Sequence, residues 1–294
     1  MQALIGVAGV VAAGGDHARA RELATDAERI VRSIDGPYLQ ARALIGVAGV
    51  VAAGGDHARA RGLATDAERI VRTIDGPYQQ AQALIGVAGV VAAGGDHARA
   101  RELATDAERI VRTITDPYQQ AQALIGVAEV VAASGDHAGA ECIVRSIDGP
   151  YLQARALIGV AEVVAASGDH ARARELATDA ERIACTITDP YQQAQALTRV
   201  AGVVAAGGDH ARARGLATDA ERIARTITDP YQQAQALTRV AAEVGLPQAS
   251  HLLGEAFSRG SWLTPLPVLA KILPQEMIRF ADAVYADGAS RDAQ

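Results

Sequence analysis

An internal repeat of about 40 residues dominates the sequence and constrains what the chain can fold into. The dipeptide Pro-Tyr marks the repeat and recurs, in near-identical surroundings, at Pro37, Pro77, Pro117, Pro150, Pro190 and Pro230. Every interval is 40 residues except the one from Pro117 to Pro150, which is 33. A unit of this size buries its apolar face only by stacking on its neighbours. The sequence therefore predicts a stack of equivalent units.

The first half of each unit has the pattern of a helix, here named helix A. In the third full unit Asp116 is a good N-cap, and Pro117 suits the first helical position. The helix continues with apolar residues on nearly every side, as expected of a helix between neighbouring helices. It is predicted to end at Ser134-Gly135, where glycine can adopt the left-handed conformation of a C-cap.

The second half of each unit predicts helix B. Asp56 is the expected N-cap of one copy, and apolar residues follow at the i, i+3, i+4, i+7 spacing as far as Ile74. The charged residues fall on the opposite face and include the favourable pair Glu68 and Arg72. We interpret that face as solvated rather than as a charged binding patch.

The shortened fourth repeat lacks seven residues of helix B. Seven residues are nearly two helical turns, so their loss shortens a helix without rotating its apolar stripe. Ala140, Ile143, Val144 and Ile147 remain aligned. The sequence predicts that helix B of this repeat is about two turns shorter than the others.

The repeats predict a domain spanning 1–246, with six near-identical repeats and a partial seventh, the first incomplete and the fourth shortened. Capping helices are expected over 247–287, near 247–258, 264–272 and 274–286, because non-tyrosine aromatics cluster there. A flexible tail is expected over 288–294. Since the chain enters partway through helix A, either preceding segments are missing or the uncapped first helix meets a partner or another copy.

Composition argues against several classes of function. A net charge of −6 disfavours nucleic acids and anionic membranes, which need basic surfaces. The apolar opening segment is shorter than the roughly 18 residues of a membrane-spanning helix, and it recurs inside the chain. Cys142 and Cys185 stand where sister repeats carry Arg, so no disulfide or metal pair is predicted. We expect a soluble, cytoplasmic protein with no cofactor and no catalytic motif.

The unit resembles the tetratricopeptide repeat. Segment 55–70 carries Ala60 and Ala67, seven residues apart after a Gly-Asp turn, and the closing Pro77 follows. The resemblance implies an all-α fold, a right-handed α/α solenoid of helix-turn-helix repeats with C-terminal capping helices. The period departs from the family's, which is about 34 residues, and Ala48 replaces the helix A glycine. HEAT-type repeats share the period but lack the Gly-Asp turn with spaced alanines.

In that family helix A lines the inner, concave surface. The matching positions include Arg42, Ile45 and Gly49, with Gly46 beside them. Two glycines within one helix cost roughly 1 kcal/mol each relative to alanine, so their small size must have a use. Either successive A helices approach closely at these glycines, or the glycines leave room for a ligand.

The inward positions that vary between repeats are the candidate binding residues. Glu129 and Glu162 replace the second glycine, and Arg199 and Arg239 replace the first. The position of Arg42 in later repeats adds four more candidates: Gln122, Arg155, Gln195 and Gln235. These residues predict a charged groove toward the C-terminal half that binds a peptide or protein. The alternative is that the Glu and Arg side chains pair across adjacent repeats.

Each repeat also carries one histidine and one tyrosine. The histidines begin helix B and are predicted to be too far apart to share a metal ion, so no metal site is expected. The tyrosines are predicted to pack on the preceding helix B with their hydroxyls in water. A tyrosine recognition stripe is the alternative.

These features favour a non-catalytic interaction scaffold or sensor module that binds a protein or peptide on the concave helix A surface. A self-assembling structural role is the alternative, through the uncapped first helix. An RNA-binding helical-repeat protein is disfavoured by the negative charge and by near-invariant inner residues.

Overall fold

The computed structural model describes residues 2–244, 246–259 and 265–272, and within them the repeats are built from consecutive A and B helices. The A helices are α1 (Gln2–Ala13), α3 (Pro37–Ala53), α5 (Pro77–Ala93), α7 (Pro117–Ala133), α9 (Pro150–Ala166), α11 (Pro190–Ala206) and α13 (Pro230–Glu243). The B helices are α2 (His17–Val31), α4 (His57–Val71), α6 (His97–Val111), α8 (His137–Arg145), α10 (His170–Ala184) and α12 (His210–Ala224). The predicted all-α, tetratricopeptide-like helix-turn-helix fold is confirmed.

Two further helices follow the repeats. They are α14 (Leu246–Arg259), which packs on α13, and α15 (Leu266–Ile272), which also contacts α13. The predicted third capping helix at 274–286 and the tail at 288–294 lie outside the described residues. The chain divides into two compact units, Met1–Asp169 and His170–Gln294. The domain boundary proposed at residue 246 stays a prediction.

Local sequence determines where the helices begin and end. The Asp116 carboxylate accepts the backbone N–H of Gln119 at 2.7 Å, and α7 begins at the intervening proline. Asp56 caps α4 in the same way. Between α3 and α4, Gly55 has φ +85°, and the N–H of Asp56 donates to the Val51 carbonyl at 3.1 Å. This is the left-handed glycine cap that the sequence predicts.

Small side chains allow the two helices of a repeat to pack closely. Ala60, Ala64 and Ala67 of α4 are buried against α3, whose Val47 and Val51 are also buried. Alanine keeps the helix axes close, so each repeat forms a thin layer. The core therefore runs through the stack as many small apolar contacts.

Successive A helices contact each other through an isoleucine and a glycine. A methyl group on Gly46 would lie 3.1 Å from Cγ2 of Ile5, and one on Gly86 would lie 3.2 Å from Cγ2 of Ile45. The glycine leaves the space that the isoleucine of the preceding repeat fills. Gly49, by contrast, has nothing within 4 Å of the position of an added methyl. The contacts favour close helix approach as the explanation for Gly46 and not for Gly49.

Successive B helices are joined by ion pairs. Arg59 contacts Glu28 of the preceding B helix at 2.7 Å, and Arg99 contacts Glu68 at 2.9 Å. The prediction that this face is only solvated is therefore incomplete, because the predicted Glu68–Arg72 pair forms at 2.8 Å alongside the contacts between repeats. The hydrogen bonds that Arg99 donates to Glu102 and then to Glu68 raise the pKa of Arg99. A partly exposed pair of this kind contributes about 0–1 kcal/mol.

The B helix of the fourth repeat is shortened as predicted. Helix α8 has 9 residues, whereas the B helices on either side have 15. Its apolar stripe is intact, since Ala140, Ile143, Val144 and Ile147 are all buried. The seven-residue deletion therefore shortens α8 and preserves its apolar packing face.

The A helix after the shortened helix meets a different side chain. Gly126 of α7 lies against Ile85, whereas Gly159 at the equivalent position of α9 lies against the Glu129 side chain. Glu129 stands where the earlier repeats carry Gly49 and Gly89, and its long side chain reaches the glycine of the next A helix. At the start of α7, Tyr118 is 60% exposed, more than the tyrosines at the equivalent positions of α3 and α5.

Candidate ligand-binding surface on the A helices

Tyrosine and glutamine side chains of adjacent A helices are hydrogen-bonded to each other. The hydroxyl of Tyr38 donates to Oε1 of Gln82 in the next repeat at 3.0 Å, and Nε2 of Gln82 donates to the hydroxyl of Tyr78 at 2.6 Å. The prediction that the tyrosine hydroxyls lie in water is wrong at these positions, because the next A helix brings a glutamine within reach. The contacts hold Gln82 in one orientation.

A cleft of about 360 Å³ lies on the A helices of the first unit, over α3, α5 and α7. Its polar lining residues are Tyr38, Arg42, Gln82 and Gln122, and its apolar ones include Ile45 and Ile85. Gly86 and Gly126 expose helix backbone in the lining. The cleft thus combines an apolar floor with polar groups one repeat apart, as ligand sites commonly do.

Arg42 supplies the charge of this cleft. No carboxylate is among the lining residues, and within the described residues the Arg42 guanidinium has no recorded partner. The Gln122 amide likewise has no recorded partner there. Both groups can therefore bind a ligand without first breaking a contact within the chain. The Arg42 guanidinium can donate hydrogen bonds to a negatively charged group, and the Gln122 amide can both donate and accept.

The other predicted residues of the first unit lie beyond this cleft. Glu129 on α7 extends over Gly159, and its carboxylate occupies the place where a methyl group on that glycine would sit. Glu162 is exposed on α9, and Arg155 is half-buried on the same helix. Glu129 and Glu162 both take part in interactions.

The second unit brings two of its four predicted residues together. The Tyr191 hydroxyl donates to Oε1 of Gln235 at 2.5 Å, and the Arg239 guanidinium lies 6.0 Å from the centre of the Tyr191 ring. This is the geometry of a cation–π contact. Arg199 is exposed on α11, and Gln195 is half-buried there. Tyr191 belongs to this cluster although sequence reasoning did not select it.

Sequence reasoning also missed the cleft itself. It selected Gln122 and placed the binding groove toward the C-terminal half, whereas Tyr38, Arg42 and Gln82 lie in the N-terminal half. One signal was present: repeats with leucine after the Pro-Tyr pair, such as Leu39, carry arginine three residues later, and the others carry glutamine at both places. That covariation marks Arg42 as a variable inward position.

Within the described ranges, no three His, Cys, Asp or Glu side chains lie close enough to hold a metal ion. The same part of the chain contains no helix that is both long and apolar enough to cross a membrane.

The sequence matches no protein-family profile and no curated protein. Among solved structures, a kinesin light chain from Podosopora anserina with nearly identical TPR-like repeats is similar at 16% identity and a TM-score of 0.40, over 65% of this chain and 96% of that one. A Rap protein complexed with competence and sporulation factor is similar at 15% identity and a TM-score of 0.41, over 92% and 75%. A STAND protein with a tetratricopeptide repeat sensor, from Pyrococcus horikoshii, shows 17% identity and a TM-score of 0.37, over 93% and 43%.

With identities and TM-scores this low, the comparisons identify no ligand for this chain. Its own helix pairs define it as an all-α, tetratricopeptide-like repeat protein with a cleft on its A helices.

Proposed function

We propose that this chain is a non-catalytic binding module that holds an extended peptide segment on its A helices. The observation that carries the proposal is the cleft lined by Tyr38, Arg42, Gln82 and Gln122 above an apolar floor. The Gln side chain both donates and accepts, so it can replace the hydrogen bonds of a peptide group. Packed helices are about 10 Å apart, and an extended chain rises about 3.3 Å per residue. Peptide residues that are three positions apart would therefore contact successive repeats.

Arg42 defines the chemistry expected at one end of that peptide. An exposed guanidinium binds carboxylates through two parallel hydrogen bonds. The preferred ligand therefore carries an Asp, a Glu or a terminal carboxylate that reaches Arg42, with aliphatic side chains over Ile45 and Ile85.

Selection of random linear peptides against the purified chain tests this function. Selected peptides should be enriched in acidic and aliphatic residues, and Arg42→Gln should weaken their binding about tenfold in fluorescence anisotropy. Glutamine is the natural residue at this position in sister repeats, so folding is preserved. Arg61→Gln, on the exposed face of α4, is the matched control and should have no effect. Equal losses from both variants would contradict the proposal.

Arg199 and Arg239 give the second unit a candidate binding surface of its own. Changing both to Gln should weaken binding of acidic partners at the Tyr191–Gln235–Arg239 cluster, with the melting temperature unchanged. Unchanged affinity would contradict a binding role for this cluster.

Self-association is the second candidate function. Val7 and Val10 of α1 are 53% and 74% exposed, which is unusual for valine. A molar mass that rises with concentration in light scattering, and no longer rises after Val10→Gln, would support it.

A further inference from the structure

We infer that the shortened fourth repeat carries a second docking site, for a partner segment that presents a bulky apolar side chain flanked by Lys or Arg. The site is a groove of about 280 Å³ between the start of α7 and the segment that joins α8 to α9. It is defined here as the break groove and is lined by Pro117, Tyr118, Gln120, Ala121, Leu124, Ser146, Ile147, Asp148 and Leu152. It shares no lining residue with the cleft over α3, α5 and α7.

The groove is built around an exposed tyrosine. In an earlier repeat the glutamine of the next A helix covers the tyrosine, as Gln82 does by accepting from Tyr38. At the fourth repeat Arg155 stands in place of that glutamine, and Tyr118 is 60% exposed and has no recorded hydrogen-bond partner within the described residues. Its ring and Leu124 form one wall, and Leu152 forms the other. An aromatic ring exposed beside apolar side chains is typical of an interface anchor site.

The volume fits one or two side chains of a protein partner better than a small molecule. Ligand pockets usually enclose about 300–1,000 Å³. An interface anchor, in contrast, is a single large side chain in a well-packed pocket with weaker contacts around it. The occupant is therefore a short segment centred on one leucine or aromatic residue.

The charge around the groove selects a basic segment. Asp148 lies in the lining, and no basic side chain does. The nearest arginine on α8, Arg145, is already paired with Glu141 at 3.3 Å. Asp116 adds a second carboxylate next to Pro117, where it caps α7. Lys or Arg on either side of the anchor would pair with these carboxylates.

The test measures binding of a fluorescent peptide of sequence Lys-Lys-Leu-Lys-Lys with blocked termini. The control peptide, Lys-Lys-Gly-Lys-Lys, lacks the leucine anchor. The leucine peptide should bind more tightly by about tenfold, because only it fills the groove. Tyr118→Ala should abolish that difference. Tyr231→Ala, at a tyrosine that is 53% exposed in the last repeat, should leave it unchanged.

A charge variant and an insertion complete the test. Asp148→Asn should weaken binding severalfold, whereas Asp35→Asn, within an identical Ser-Ile-Asp-Gly-Pro segment, should not. Inserting a copy of residues 101–107 between Ala140 and Glu141 restores the regular length of helix B and should remove binding of the leucine peptide. Circular dichroism verifies that each variant is folded.

Four results would overturn the inference. Equal binding of the two peptides would show general attraction to an acidic protein. Retained binding in the insertion variant would place the peptide elsewhere. Concentration-dependent dimerisation that Tyr118→Ala abolishes would identify a second copy of this chain as the occupant. No binding of the leucine peptide at ~1 mM would also refute it, because such a site would be weaker than about 4 kcal/mol.

Discussion

At the residue scale, two glycines of helix α3 have opposite surroundings. A side chain at Gly46 would meet Ile5, and one at the neighbouring Gly49 would meet nothing. In the next repeat Gly86 lies against Ile45 in the same way as Gly46 lies against Ile5. Identical residues three positions apart therefore have different roles, one in packing and one at an open surface.

Substitutions at these glycines should change stability in opposite directions. Gly49→Ala should raise the free energy of unfolding by about 0.5–1 kcal/mol, because alanine is the better helix former and the space is open. Gly86→Val should lower it by about 1–3 kcal/mol, because the β-branched side chain would overlap Ile45. Urea unfolding measures both. A large loss at Gly49 would show that its smallness is also needed for packing.

At the element scale, we expect α8 to be the least stable helix of the first unit. It has 9 residues, so it has fewer internal hydrogen bonds than α6 with 15. Gly139 also stands where Arg59 and Arg99 make their ion pairs to the preceding B helix. Within the described residues, α8 therefore lacks an ion pair to α6 that α4 and α6 have to their own predecessors.

Helix α8 should depend strongly on its N-cap. Asp136 accepts the N–H of Gly139 at 2.9 Å, as Asp96 does for Arg99 at 3.1 Å in α6. Each cap contributes about 1 kcal/mol. Asp136→Ala should therefore accelerate amide hydrogen exchange across all of α8, whereas Asp96→Ala should affect only the first turn of α6. Equal, local effects would contradict this difference between the helices.

Helix boundaries are predictable from sequence because their determinants are local. Asp116 and Pro117 lie next to each other in the chain, and so do Gly55 and Asp56, so caps can be read directly. The contact between Gly159 and Glu129 is not predictable in the same way. It depends on how α9 packs on α7 after the shortened helix. The seven missing residues indicate a shorter helix, but not which side chain of α7 meets the glycine of α9.

At the scale of the whole molecule, a variant that lacks one whole repeat of the first unit should still fold. Deleting residues 77–116 joins Gly76 to Pro117 and preserves the local sequence of the junction. Ile45 would then pack over Gly126 as it now packs over Gly86, and Tyr38 would reach Gln122. Stability in a repeat array is a sum over repeats and their interfaces.

The deletion variant should fold cooperatively with a lower melting temperature and a smaller urea m-value, because less surface is buried. Thermal and urea unfolding monitored by circular dichroism measure both. An unfolded or aggregated product would show that the interfaces are not interchangeable despite their matching contacts.

The candidate binding surface was less predictable from the sequence than the helix boundaries, because its contacts form between repeats. Tyr38 and Gln82 lie in different repeats and meet only through stacking, as do Tyr191 and Gln235. The sequence shows which positions vary between repeats. It does not show which side chains the stacking brings together, because that depends on distances between helices.

The repeated isoleucine–glycine contact has a consequence for refolding kinetics. Ile5 meets Gly46 in the same way as Ile45 meets Gly86, so contact energy should distinguish poorly between the adjacent repeat and the one after it. The doubled length of intervening chain favours the adjacent repeat by only about 0.6 kcal/mol, or roughly threefold. Early docking should thus produce many misaligned species, which must separate before the skipped repeat can be buried. Gly159 meets Glu129 and not an isoleucine, so this contact should favour one alignment in the first unit.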